Sequence, residues 1–156
     1  MRTTLSLFLT CGLLVAADYR PGPDAQRRDG VPRGKVILGA WNDCKAFPGT
    51  TRSYWVYIPA QYDPKRPANL MVFQDGGGFV RENGHTRVPT VFDNLIHRKE
   101  LPVTIGLFVN PGSVPGAEPD NQPRRNRAFE YDTVSADNAN FIIDELWPVV
   151  AKEHNL

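Results

Sequence analysis

Asp75 is followed by three consecutive glycines, Gly76, Gly77 and Gly78, and then by Phe79. Glycine lacks a Cβ, so this backbone can take positive φ and bring N–H groups close to a ligand. Three chemistries use such a loop. A phosphate-binding loop needs Gly-Lys-Ser/Thr opening a helix; here Phe79-Val80-Arg81 follows, and no helix is expected to open. A dinucleotide fingerprint needs G-x-G-x-x-G, and the run fails at its last place, Arg81. An oxyanion hole needs backbone N–H donors just past a central strand, which this loop offers. The residues alone leave two readings open: an oxyanion hole, or a tight turn without a ligand.

The other reactive residues are few. The serines are Ser6, Ser53, Ser113 and Ser135, and none lies in G-x-S-x-G. Gly112-Ser113-Val114-Pro115-Gly116 has glycines at the wrong spacing, so there is no nucleophile elbow. Of the histidines, His97 and His154 fall on expected helices and read as surface residues. His85 lies near the glycines and reads as a solvated loop residue. No His, Cys and carboxylate spacing suggests a metal site, and no cofactor is expected. Arg124, Arg125 and Arg127 stand close to Glu130, Tyr131 and Asp132. Arg127 is expected to pair locally with Glu130 and pin a loop. The candidate cleft residues are Asp75, Phe79, Asn110, Arg127, Glu130 and Tyr131.

The elements that must hold these residues follow from apolar period. Leu70 to Phe73 is an apolar run that reads as a strand buried on both faces, so the glycines fall at a strand's carboxyl end. Lys35–Trp41 is a first strand. Thr51–Pro59 is a second, with Tyr54, Val56 and Ile58 on one face and Trp55 and Tyr57 on the other; the short link makes the two antiparallel. Val88, Val91, Phe92, Leu95 and Ile96 form one helix stripe, with Thr86 as N-cap and Leu101-Pro102 closing the segment. Val103–Val109 is a further strand. Gly112–Arg127 reads as a long loop with three prolines and three arginines. Ser135 caps a last helix with the stripe Ala139, Ile142, Ile143, Leu146 and Val150, and Pro148 predicts a kink or restart near Trp147.

The chain has 156 residues, enough for one core, with 14 prolines against 13 glycines and a net charge of +1. Such a balance does not favour nucleic acid or anionic lipid. Residues 1–17 read as a secretory signal peptide: Arg2 supplies the charge, Leu5–Val15 the short apolar region, and Ala17 the cleavage site. The expected location is secreted or periplasmic, with no membrane contact after signal removal. Losing Arg2 from the 18 basic residues leaves 17 against 17 acidic ones. Cys44 then remains alone and reads as a packed thiol. Asp18–Arg33 is expected to be an extended arm, and residues 34–156 the folded domain.

Three stretches carry a resemblance: FPGTTRSYWVYIPAQYDPKRPANLMVFQDGGGFV, then VFDNLIHRKELPVTIGLFVNPG, then RNRAFEYDTVSADNANFIIDELWPVV. Over roughly residues 30–156 the chain resembles secreted bacterial esterases of the esterase D and enterochelin-esterase-like group, within the α/β-hydrolase superfamily. The resemblance implies an α/β fold: antiparallel first strands leading into a parallel sheet with flanking helices. It implies a Ser-Asp/Glu-His triad acting on carboxylic esters, with an oxyanion donor within Gly76–Gly78. It also implies that these residues are the N-terminal half of such a domain, with the triad encoded beyond Leu156. The partner is then a small-molecule or carbohydrate ester, and the chain by itself is expected to be inactive. A different class stays open: a non-catalytic secreted module that binds carbohydrate or protein through the half-sheet and the Gly112–Arg127 loop.

Overall fold

The strand Thr104–Val109, here β4, is buried at every position. Its continuous apolar run suits a strand covered on both faces. In the computed structural model, which describes residues 19–117 and 119–156, β4 lies inside a four-stranded mixed sheet. The other strands are β1 (Lys35–Trp41), β2 (Arg52–Ile58) and β3 (Asn69–Gln74), in the order β1-β2-β4-β3. β1 and β2 are antiparallel, as are β2 and β4; β3 and β4 run parallel, with Phe73 opposite Phe108 and Gln74 opposite Val109. The signal peptide expected over residues 1–17 lies outside the described residues.

Each sheet face meets its own helices. The helix α2 (Val88–His97) places Val88, Phe92 and Ile96 against Tyr57 and Phe108. On the opposite face, Phe141, Ile142, Leu146 and Val150 pack on Val56, Ile105, Leu107 and Val109. The alternation along β2 accounts for the division. Tyr54, Val56 and Ile58 join the second cluster, and Trp55 and Tyr57 the first.

Several local expectations change. A short helix, α1 (Gly76–Phe79), does open at the glycines. The positive φ falls on Asp75 (φ 54°, ψ 36°) and not on any of the three glycines. Arg87, also left-handed, precedes α2 in place of Thr86, whose hydroxyl donates to the Gly78 carbonyl. Ile143 is 55% exposed, since a π-helical turn over Phe141–Leu146 rotates it off the apolar stripe. The last helix comprises α4 (Asp137–Asn140), that π turn, and α5 (Trp147–Glu153), which restarts with Pro148 in its first turn. Ser135 Oγ accepts the Asp137 N–H.

The segment 112–127 is not structureless. Ser113–Val114 (β5) and Arg124–Arg125 (β6) pair as an antiparallel ribbon, tied to the main body by a bridge between Thr51 and Ser113. The arm before β1 is clamped onto α2. Asp93, 2% exposed, accepts from Arg27 Nη1 (2.7 Å), Gly34 N (2.8 Å) and Tyr57 Oη (2.7 Å). Asn94 Nδ2 donates to the carbonyls of Asp24 and Gln26.

Candidate active site

The parallel pair β3–β4 ends at Gln74 and Val109, and the next residues meet across that end. Open α/β sheets bind ligands at this position. The Gly77 N–H donates to Asn110 Oδ1 at 2.9 Å. The Gly78 N–H donates to the Asp75 carbonyl at 2.9 Å, closing the first turn of α1. The three glycines differ in what they tolerate. A Cβ on Gly76 would stand 2.3 Å from the Val109 backbone nitrogen, so the loop sits on β4 only because that residue is glycine. A Cβ on Gly77 would meet Asn110 Oδ1 at 3.1 Å and Trp55 at 3.2 Å, and one on Gly78 would meet nothing within 4 Å.

Asp75 anchors the turn from the other side. Its carboxylate accepts Arg127 Nε at 3.0 and 3.2 Å and Arg127 Nη2 at 2.6 Å. Arg127 opens the short helix α3 (Arg127–Tyr131), which brings Tyr131 to the same place. The Asp75 N–H points to Tyr131 Oη at 3.4 Å, and the Arg127 guanidinium lies 5.1 Å from the Tyr131 ring centre. The donated hydrogen bonds from Arg127 hold the Asp75 carboxyl below its ordinary value. Burial pushes the Tyr131 phenol up to about 12, so it remains a neutral hydroxyl.

Glu130 and Phe79 stand apart from this group. The expected local pair between Arg127 and Glu130 does not form. Glu130 turns inward instead, and its carboxylate takes Arg52 Nη1 at 2.7 Å, with both side chains 1% exposed or less. Gly112 N and Asn126 Nδ2 also donate to it. The Arg52 guanidinium lies 4.2 Å from the Phe141 ring centre and donates to Thr50 Oγ1. Phe79 packs on Phe73 within the α2-side cluster. Cys44 is 5% exposed and burial pushes its thiol up, which disfavours the thiolate a nucleophile needs.

Sequence reasoning missed Arg52 as the partner of Glu130. A signal existed: Arg52 shares its side of β2 with Tyr54, Val56 and Ile58, so a charge was aimed at the core. A buried charge demands a partner, but the sequence does not say which. Among the described residues no serine hydroxyl is hydrogen-bonded to a histidine; Ser113 Oγ reaches the Thr51 carbonyl and Ser135 Oγ reaches Asp137.

No family model matches the chain. Among the solved structures that resemble it are two of a CE1 ferulic acid esterase from the anaerobic fungus Anaeromyces mucronatus. The substrate-free structure aligns with TM-score 0.59 and 13% identity, over 88% of this chain and 50% of that one. The structure in complex with ferulic acid aligns with TM-score 0.59 and 13% identity, over 87% and 49%. The chain has the fold of these esterases. It spans about half their length. A curated relative, endo-1,4-beta-xylanase Y of Acetivibrio thermocellus, is 28% identical over 92 residues, which is 55% of this chain and 8% of that protein.

Proposed function

We propose that this chain supplies the oxyanion side of a secreted serine esterase that hydrolyses carboxylic esters through an acyl-serine. One observation carries the proposal. An acceptor oxygen, Asn110 Oδ1, already sits 2.9 Å from the Gly77 nitrogen at the carboxyl end of the parallel strands. That separation falls within the roughly 2.7–3.1 Å expected between a donor and an oxyanion. Gly77 is the better donor of the pair, because its acceptor is a side chain that can turn away. The Gly78 N–H is held by the backbone of its own turn.

In the proposed reaction a serine oxygen attacks the ester carbonyl while a histidine takes its proton. Negative charge develops on the carbonyl oxygen, which replaces Asn110 Oδ1 on the Gly77 N–H. Collapse of the intermediate expels the alcohol, protonated by the imidazolium, and water then releases the acid from the acyl-serine. One such donor contributes on the order of 3 kcal/mol to the barrier. Arg127 and Tyr131 position the turn through Asp75 and take no part in bond making.

In this reading the serine, its acid and its histidine are not among these 156 residues. The subfamily proposed is the esterase D and enterochelin-esterase-like group, on the motifs around Gly76–Gly78 and Arg127–Tyr131. The substrate proposed is a small-molecule or carbohydrate ester, and secretion rests on the signal sequence at residues 1–17. The test is hydrolysis of p-nitrophenyl acetate by residues 18–156 and by the protein expressed from its complete reading frame. Turnover by the second alone, abolished by a serine-directed phosphonate, is expected. Phosphonate-sensitive turnover by residues 18–156 would overturn the assignment of the nucleophile, and none by either would overturn the esterase.

A further inference from the structure

Val114, Arg124 and Arg125 of the ribbon formed by β5 and β6 line a groove of about 550 Å³ that the proposed reaction does not use. Its apolar wall is Phe47, Pro48, Val114 and Phe129, and its rim carries Arg124 and Arg125. Phe129 is 61% exposed, large for an aromatic side chain, and its ring meets the Phe47 ring edge-on at 6.3 Å. The ribbon is fixed in place. Thr51 and Ser113 exchange backbone hydrogen bonds at 2.9 Å, and the Asn126 N–H donates to the Gly112 carbonyl at 2.9 Å. Arg124 and Arg125 are exposed, and among the described residues neither is ion-paired. Arg127, by contrast, is committed to Asp75. Among the described residues the one acid that lines the groove, Asp137, accepts a hydrogen bond from Ser135 Oγ at 3.0 Å.

We infer that this groove binds an acidic polysaccharide, a chain of sugars that carry carboxylates. An exposed aromatic edge suits the apolar C–H face of a pyranose. Guanidinium groups suit carboxylates, which they can hold through two parallel N–H bonds. Arg124 pairs with Val114 and shares its face of the ribbon, while Arg125 pairs with Ser113 and starts from the other face, so only a ligand whose charges repeat along its length meets both. A lone aromatic acid offers one carboxylate and would use one of the two. A neutral glycan would leave both unused. The volume lies within the range of about 300–1,000 Å³ that accommodates ligands larger than one small ring. Neither Asp75 nor the three glycines line the groove.

The experiment is calorimetric titration of the intact protein with trigalacturonate, using xylotriose and ferulate as the comparison ligands. Trigalacturonate is expected to bind, at least tenfold more tightly than either, and to weaken as salt rises. The double variant Arg124→Gln/Arg125→Gln is expected to lose at least tenfold in affinity, and Phe129→Ala about fivefold. Each variant is first checked for an unchanged thermal transition, which surface substitutions leave in place. No binding, binding that the variants do not weaken, or equal binding of ferulate or xylotriose would overturn the inference. The readout needs no serine, so failure here is distinct from failure of the esterase proposal.

Discussion

Arg52 and Glu130 are 78 positions apart in the chain and meet in the interior at 2.7 Å, with side chains 1% and 0% exposed. The pair joins β2 to α3, and through Gly112 and Asn126 it also fixes the base of the β5–β6 ribbon, where its first strand begins and its second ends. Removing one charge strands the other in the interior, at a cost of about 3–5 kcal/mol. Arg52→Ala and Glu130→Ala are each expected to lower the unfolding free energy from urea denaturation by that much. The double variant Arg52→Met/Glu130→Leu is expected to recover most of the loss. Equal losses in the single and double variants would contradict this role for the pair.

The three glycines are expected to respond unequally to alanine. At Gly76 the new methyl has no space against the Val109 backbone, and overpacking of that kind costs roughly 1–3 kcal/mol. At Gly78 the methyl meets open space, and a change within about 0.5 kcal/mol is expected. Thermal melting of Gly76→Ala and Gly78→Ala checks the order. A Gly78 variant less stable than the Gly76 variant would contradict the placement of the turn.

The Asp75–Arg127 contact predicts an acid-sensitive increment of stability. Hydrogen bonds from Arg127 depress the Asp75 carboxyl, with burial opposing them. A depressed carboxylate stabilises the fold above its unfolded-state value, about 3.9, and the contribution goes as pH falls through the lower folded-state value. The melting temperature of the wild type is therefore expected to exceed that of Asp75→Asn by a constant margin above about pH 5. Below about pH 4 the margin should shrink. Both side chains are close to half exposed, so the margin is small. A margin that grows toward acid would contradict the assignment.

Among the described residues β3 is an edge strand, hydrogen-bonded only to β4, with Met71 41% exposed on it. A bare apolar edge is a template for pairing with another chain. Residues 18–156 are expected to associate as concentration rises, and Met71→Lys to reduce that association. A monomer at all concentrations by sedimentation would contradict it.

Much of the architecture was readable because it depends on local period. The alternation of Tyr54 to Ile58 assigned both faces of β2, and the spacing of Val88, Phe92 and Ile96 located α2. The apolar run before the glycines put the turn at a strand's carboxyl end. What was not readable depends on contacts far apart in sequence. Arg127 stands three residues from Glu130, yet the short helix α3 turns its guanidinium toward Asp75, 52 residues away. The glycines invited positive φ, but the left-handed residue is Asp75, since Gly76 is needed where the turn presses on β4. The ribbon within 112–127 was hidden because two-residue strands have no period to detect.

The central claim is that the Gly77 amide holds the developing oxyanion. It is tested most directly by the nitrogen–proton spectrum of the protein from its complete reading frame, before and after a phosphonate ester traps the serine. The Gly77 proton is expected to move strongly downfield as it exchanges Asn110 Oδ1 for a charged oxygen, while Gly78 stays in place. A fully labelled serine with the Gly77 resonance unmoved would contradict the claim.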